Sequence, residues 1–135
     1  MFVRSIVKCH MSNVSTMFDD IFSYLNKTVN VRVDRPMGSR HPKYDFIYPI
    51  NYGHLPGTKA PDGDELDVYV LGVDQPIQTI TGQVVAVIHR TDDNDDKLVV
   101  VPEDAPEFTD EQIRELTNFQ EQNYESVIMR EAPIE

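Results

Sequence analysis

A chain of 135 residues with 40% hydrophobic and 26% charged residues is long enough for one domain that buries roughly two thirds of its unfolded surface, and too apolar to stay disordered. Its 23 acids against 12 bases leave a net charge of −11, which argues against a nucleic-acid groove because phosphate neutralisation needs clustered Lys and Arg. No apolar run approaches the ~20 residues that cross a bilayer as a helix, so no membrane partner is expected, and the single cysteine, Cys9, cannot form an internal disulfide.

The first segment carries Arg4 and Lys8 and no acid, but charges break Phe2-Val3 from Ile6-Val7, so no continuous signal core forms. Residues 1–16 read as an extension, residues 17–130 as the domain and residues 131–135 as a tail. Phe18, Ile21, Phe22 and Leu25 follow helical spacing with Ser15 or Thr16 ahead of them, which predicts a short amphipathic helix. Residues 28–34 alternate Val29, Val31 and Val33 with Asn30, Arg32 and Asp34, the pattern of a half-buried strand. From Pro36 to Gly63 the chain is crowded with proline, glycine and aromatic residues, including Tyr44, Phe46, Tyr48 and Tyr52. No single regular element fits there, and the stretch reads as a functional loop region.

That region ends in Asp62-Gly63-Asp64-Glu65-Leu66-Asp67, four carboxylates in six residues. Carboxylates brought together raise one another's pKa unless a cation neutralises them, and all-oxygen ligands suit a hard ion such as Mg²⁺. A strand over residues 66–73 follows, then another over residues 77–89 with Gly82 suggesting a bulge or corner, an acidic turn from Asp92 to Asp96, and a strand over residues 98–101 stopped by Pro102. Thr109 and Gln112 form a capping box, and Ile113, Leu116, Phe119 or Gln120, Tyr124 and Val127 extend one long helix. The class expected is α+β, mainly β: a small closed barrel with a short N-terminal and a long C-terminal helix. An EF-hand reading of Asp92-Asp93-Asn94-Asp95-Asp96 fails, because Lys97 stands where that loop requires glycine and an apolar run follows.

Three ordered segments, Tyr48-Pro49-Ile50-Asn51-Tyr52-Gly53, the acidic hexapeptide, and Thr91 to Pro102 with its Asp95-Asp96-Lys97-Leu98-Val99-Val100-Val101 core, resemble the family I soluble inorganic pyrophosphatases. Glu65 stands where that family has proline. The resemblance implies a five-stranded OB-like barrel and a cytoplasmic, Mg²⁺-dependent hydrolysis of pyrophosphate to two orthophosphates by a metal-activated water, with two or more Mg²⁺ and Mn²⁺ as an alternative. Asp62, Asp67, Asp95 and Asp92 would hold the metals, and Asp64 would accept the proton of the attacking water. Lys97 and Tyr52 would meet phosphate, while His41, His54 and His89 have no matching role and read as structural or solvent-facing.

The family also carries a lysine and a glutamate on its first strand and a tyrosine-lysine pair on its last helix. Asn30 and Arg32 stand at the first pair, and Asn123 with Tyr124, or Tyr124 with Glu125, at the second. Arg32 and either Arg40 or Lys43 are therefore expected to supply the missing clamp, each charge-assisted contact contributing about 1.5–3 kcal/mol. A noncatalytic metal-stabilised barrel and a hydrolase for another diphosphate are the alternatives. A homo-oligomer stays open.

Overall fold

Five strands close into a mixed barrel, four of them putting short or branched apolar residues on one face at the period of two that a strand requires. The computed structural model describes residues 18–133. The expected extension, Cys9 and the caps Ser15 and Thr16 lie outside the described residues. The strands are β1 (Thr28–Arg35), β2 (Asn51–Leu55), β3 (Leu66–Val70), β4 (Thr79–Arg90), β5 (Lys97–Val101) and β6 (Ser126–Met129). The order β1-β2-β3-β5-β4 closes through a β1–β4 pairing, and only β3 and β5 run parallel.

Val31, Leu55, Leu66, Val68, Val70, Val84, Val87, Leu98 and Val100 fill the interior. The opposite faces of β3, β4 and β5 form a second core, with Tyr69, Ala86, Ile88 and Val99 packed against helix α1 (Asp110–Glu121) through Ile113, Leu116 and Phe119. These three strands are therefore buried on both sides, and any polar residue on their outer face must find a partner there. Asp67, Lys97 and Arg90 are on that face. Thr109 caps α1, its Oγ1 accepting the Gln112 amide at 3.1 Å while Gln112 Oε1 accepts the Thr109 amide at 2.8 Å.

Several elements differ from the sequence reading. The N-terminal helix is one 3₁₀ turn, Ile21–Tyr24, whose cap is Asp20. Within the loop region lies β2, whose residues 51, 53 and 55 are buried and alternate with half-buried Tyr52 and His54. Its Gly53 is required because a Cβ there would overlap the Arg32 carbonyl of β1. The strand expected over residues 66–73 ends at Val70. The bulge of β4 falls between Val84 and Ala86, while Gly82 lies where β4 runs against β1 and a Cβ would press on the Val101 carbonyl of β5. Helix α1 stops at Glu121, before Tyr124, and Val127, which continued its period, lies in β6 instead. β1 leaves the edge of β4 free beyond Gln83, and the β-branched Val127 and Ile128 pair there with His89 and Ile88. A tertiary pairing thus overrides local periodicity. Among the described residues, no helix is long and apolar enough to cross a membrane.

Candidate active site

Parallel pairing of β3 with β5 sets Asp67 opposite Lys97 on the outer face of the barrel. The Lys97 ammonium donates to Asp67 Oδ2 at 2.6 Å and to Asp95 Oδ2 at 3.0 Å, and the residue is 2% exposed. Burial alone would lower its pKa, but Tyr52, Asp67 and Asp95 raise it above the ordinary lysine value, so it is charged at neutral pH. Asp67 is raised by burial and by Asp95, with Lys97 opposing. Burial also pushes the Tyr52 hydroxyl well up, although Lys97 pulls it down; the ammonium lies 5.6 Å from its ring centre.

A second buried ion cluster adjoins the first. Arg90, at the end of β4, donates from Nε to Glu121 Oε1 at 3.1 Å and from Nη2 to Glu121 Oε2 at 2.8 Å. Tyr69 donates to the same carboxylate at 2.7 Å and accepts from Gln120 at 2.8 Å. Arg90 is 3% and Glu121 5% exposed, and the Tyr124 ring covers the guanidinium at 3.6 Å. Burial would lower the Arg90 pKa, yet Glu121 holds it above its ordinary value. Arg90 Nη1 also reaches Asp95 at 3.5 Å and Asp93 at 3.6 Å, so the guanidinium ties the acidic hairpin to α1.

The facing wall is built from loops. Gly38 and Tyr48 donate backbone hydrogen bonds across the 36–50 loop to Tyr48 and Ser39, and the His41 amide donates to Phe46. Buried Asn51 anchors the loop, accepting the Met37 amide at 2.8 Å and donating to the Gln75 carbonyl at 3.0 Å. The acids of the hexapeptide do not converge on one another. Gly63, at φ 92°, makes the turn, Asp62 Oδ1 accepts the Asp64 amide at 3.0 Å, and Glu65 turns away to the Gly57 amide and His54. His54 is shared between Asp34 and Glu65, which gives it the structural role expected of it. His89 pairs with Asp96 at 2.8 Å.

Between the walls lies a cleft of about 650 Å³ that gathers Asp62, Asp64, Asp67, Asp95, Lys97, Tyr52 and Lys43. Three other expected residues are not on its lining. Arg32 faces a separate groove with Asn30, Thr79 and Thr81. Arg40 is exposed and paired with Asp45. Asp92 Oδ2 accepts the Glu125 amide at 3.0 Å and so fastens the hairpin to the segment after α1. Two cations that sequence reasoning missed do line the cleft, Arg35 and Arg90. A register shift between Val33 and Arg35 sets Arg35 against Tyr52, which strict alternation could not reveal. Arg90 was legible in principle as a charge closing an apolar strand. Among the described residues, no three His, Cys, Asp or Glu side chains form a ready-made metal cage.

The sequence model of the inorganic pyrophosphatase family matches residues 8–129. The inorganic pyrophosphatase of Pseudomonas aeruginosa is 40% identical over 79 residues, covering 55% of this chain and 45% of that protein. The Rickettsia prowazekii protein of the same name is 30% identical over 115 residues, 70% of this chain and 67% of that one. The chain thus spans between about half and two thirds of these curated relatives. A solved inorganic pyrophosphatase from Neisseria gonorrhoeae covers 78% of this chain and 80% of its own at 25% identity, with a TM-score of 0.53. The Ehrlichia chaffeensis structure reaches 0.59 at 22% identity, covering 82% and 86%, a likeness of fold.

Proposed function

The chain belongs to the inorganic pyrophosphatase family, and from that premise we propose that it is a cytoplasmic enzyme that hydrolyses inorganic pyrophosphate to two orthophosphates with Mg²⁺. The observation that carries this reading is one cleft bringing Asp62, Asp64, Asp67 and Asp95 together with Lys97, Lys43 and Arg35. Its donor set is all oxygen, which fits a hard divalent cation and suits Mg²⁺ before softer metals. Asp62, Asp67 and Asp95 would hold the cations; Asp92 lies off the cleft lining, on the Glu125 amide, and is left out of that set. Bound there, divalent cations supply charge screening for the phosphates and acidify water.

The protein's own groups do the rest. Lys97, kept charged by its two carboxylates, offers a point charge for a phosphate oxygen, and Arg35 at the end of β1 and Lys43 on the loop wall offer two more. Tyr52, kept neutral well above its usual range, has a hydroxyl proton to donate in a hydrogen bond. Asp64 takes the proton of the attacking water as the new phosphorus–oxygen bond forms and the bond to the bridging oxygen breaks.

Phosphate release from pyrophosphate with Mg²⁺, and its loss with EDTA, tests the reading. Mg²⁺ should also raise the melting temperature, by about 2.7 kcal/mol of stability at a hundredfold excess over its dissociation constant. No phosphate release from a protein that Mg²⁺ still stabilises would make the chain a noncatalytic metal-stabilised barrel.

A further inference from the structure

The cleft is larger than a bare diphosphate needs, and its two ends differ in chemistry. Its volume of about 650 Å³ is within the range of roughly 300–1,000 Å³ that houses drug-sized ligands. One end carries the carboxylates and Lys97. The other is aromatic, lined by His41, Tyr44, Phe46 and Tyr48. The His41 ring lies 4.8 Å from Tyr44 and 4.9 Å from Phe46, and stacks on Tyr48 at 6.0 Å.

Packing accounts for part of this cluster only. Phe46 and Tyr48 rest on Phe119 of α1 at 5.8 Å and 5.6 Å, and Tyr48 is 2% exposed. Tyr44 is 64% exposed, so its outer face serves no core. His41 is fixed in place: its Nδ1 accepts the amides of Lys43 and Tyr44 at 2.9 Å and 3.1 Å. Burial and the nearby charges of Arg35 and Lys43 lower its pKa, which keeps the ring neutral at pH 7. Inorganic phosphate gains nothing from ring faces, whereas a planar base stacks on them whatever its identity, since every base has a π-face.

Resting on the diphosphate hydrolysis above, we propose that the cleft takes a second substrate class, a nucleoside diphosphate, with its terminal phosphate at the carboxylate end and its base on Tyr44 and His41. The bond change is the same. Water adds to the terminal phosphorus, the bond to the bridging oxygen breaks, and nucleoside monophosphate and orthophosphate leave while Asp64 takes the water's proton.

ADP is the probe, with the whole chain and Mg²⁺. Phosphate release and calorimetric binding are measured for ADP and for pyrophosphate, in the parent and in Tyr44→Ala and Tyr44→Phe. We expect release from both substrates, a drop of about tenfold in kcat/KM and affinity for ADP in Tyr44→Ala, recovery in Tyr44→Phe, and unchanged pyrophosphate kinetics throughout. Turnover of pyrophosphate without binding or turnover of ADP overturns this inference and leaves the family activity standing. ADP bound through Tyr44 with neither substrate hydrolysed overturns both reactions and reduces the cleft to nucleotide binding. Equal ADP affinity in Tyr44→Ala with an altered number of chains per particle makes the aromatic end an interface between copies, and the inference is then wrong.

Discussion

On the wall of the cleft made by β3, β4, β5 and α1, Asp67, Asp95, Lys97, Arg90 and Glu121 are joined in buried or half-buried ion pairs. On the loop wall, Asp62 and Asp64 are exposed around a glycine turn, and Lys43 is exposed too. The difference comes from where each group is attached. A charge on a strand that is buried on both faces must be neutralised by a neighbour for the sheet to form, whereas a charge on a loop is neutralised by water. The first wall is therefore organised by folding, and the second holds its charges free for a ligand. Substitutions on the first wall should be read in stability, and those on the second in kinetics.

The largest effect expected is on the folded wall. Glu121→Ala leaves Arg90 charged and buried without its carboxylate, and removal of one partner of such a pair costs about 3–5 kcal/mol. Urea denaturation should show an unfolding free energy lowered by that amount, and a loss under about 1 kcal/mol would mean that water replaces Glu121. The same wall sets an alkaline limit. Tyr52 and Tyr69 are raised by burial, and Lys97 by its anionic neighbours against burial. Each folded-state pKa lies above its unfolded value, so the stability these groups contribute is fully present below about pH 10 and lost as pH rises beyond it. Melting temperature should fall above that pH, and more shallowly in Tyr69→Phe.

Asp64→Asn tests the free wall. Loss of a positioned base lowers kcat by about a hundredfold or more, and the variant should melt with the parent because no side-chain partner is lost. Excess Mg²⁺ should not restore turnover, and full recovery would reassign Asp64 to metal binding. Next come the cations at the end of β1 and on the loop. Arg35→Ala and Lys43→Ala should each raise KM for pyrophosphate about ten- to a hundredfold, for contacts of about 1.5–3 kcal/mol. Arg32→Ala and Arg40→Ala, outside the cleft, should leave KM where it is. A KM that responds to Arg32 instead of Arg35 would place the clamp on the outer face of β1.

What could be read from the chain follows the same division. The barrel was legible because β1, β3, β4 and β5 announce themselves by alternation or by continuous apolar runs, and the capping box marked the start of α1. β2 was hidden because its inward residues are Asn51, Gly53 and Leu55, two of them without the bulk that signals a strand. The end of α1 was misread because Tyr124 and Val127 keep a helical i, i+3 spacing, and the strand that Val127 joins rests on an edge of β4 that no local pattern displays. At the site, the resemblance named Asp62, Asp64, Asp67, Asp95, Lys97 and Tyr52, which line one cleft, and Asp92, which does not. The clamp was not legible: a one-residue register shift in β1 sets Arg35 opposite Tyr52, where strict alternation would put Asp34, and no periodicity predicts a bulge.

The smallest effect expected concerns Glu65, the residue that stands where the family has proline. It is attached to the free wall yet behaves like the folded one, accepting the Gly57 amide at 2.9 Å and lying 3.1 Å from His54 Nε2. His54 Nδ1 lies 2.7 Å from Asp34 Oδ2, so the imidazole links β1, β2 and the acidic turn. Glu65 is partly open to water, with 43% of its side chain exposed, and exposed pairs of this kind contribute about 0–1 kcal/mol. Glu65→Gln keeps an oxygen for the Gly57 amide and removes the charge beside His54, so it should cost less than Glu65→Ala, with both inside that range. Because neither substitution touches Asp62 or Asp64 directly, pyrophosphate turnover should not change. If Glu65→Ala instead lowers turnover while melting with the parent, the tie from Glu65 to His54 positions the aspartate turn, and the loop wall is held for chemistry as firmly as the strand wall is.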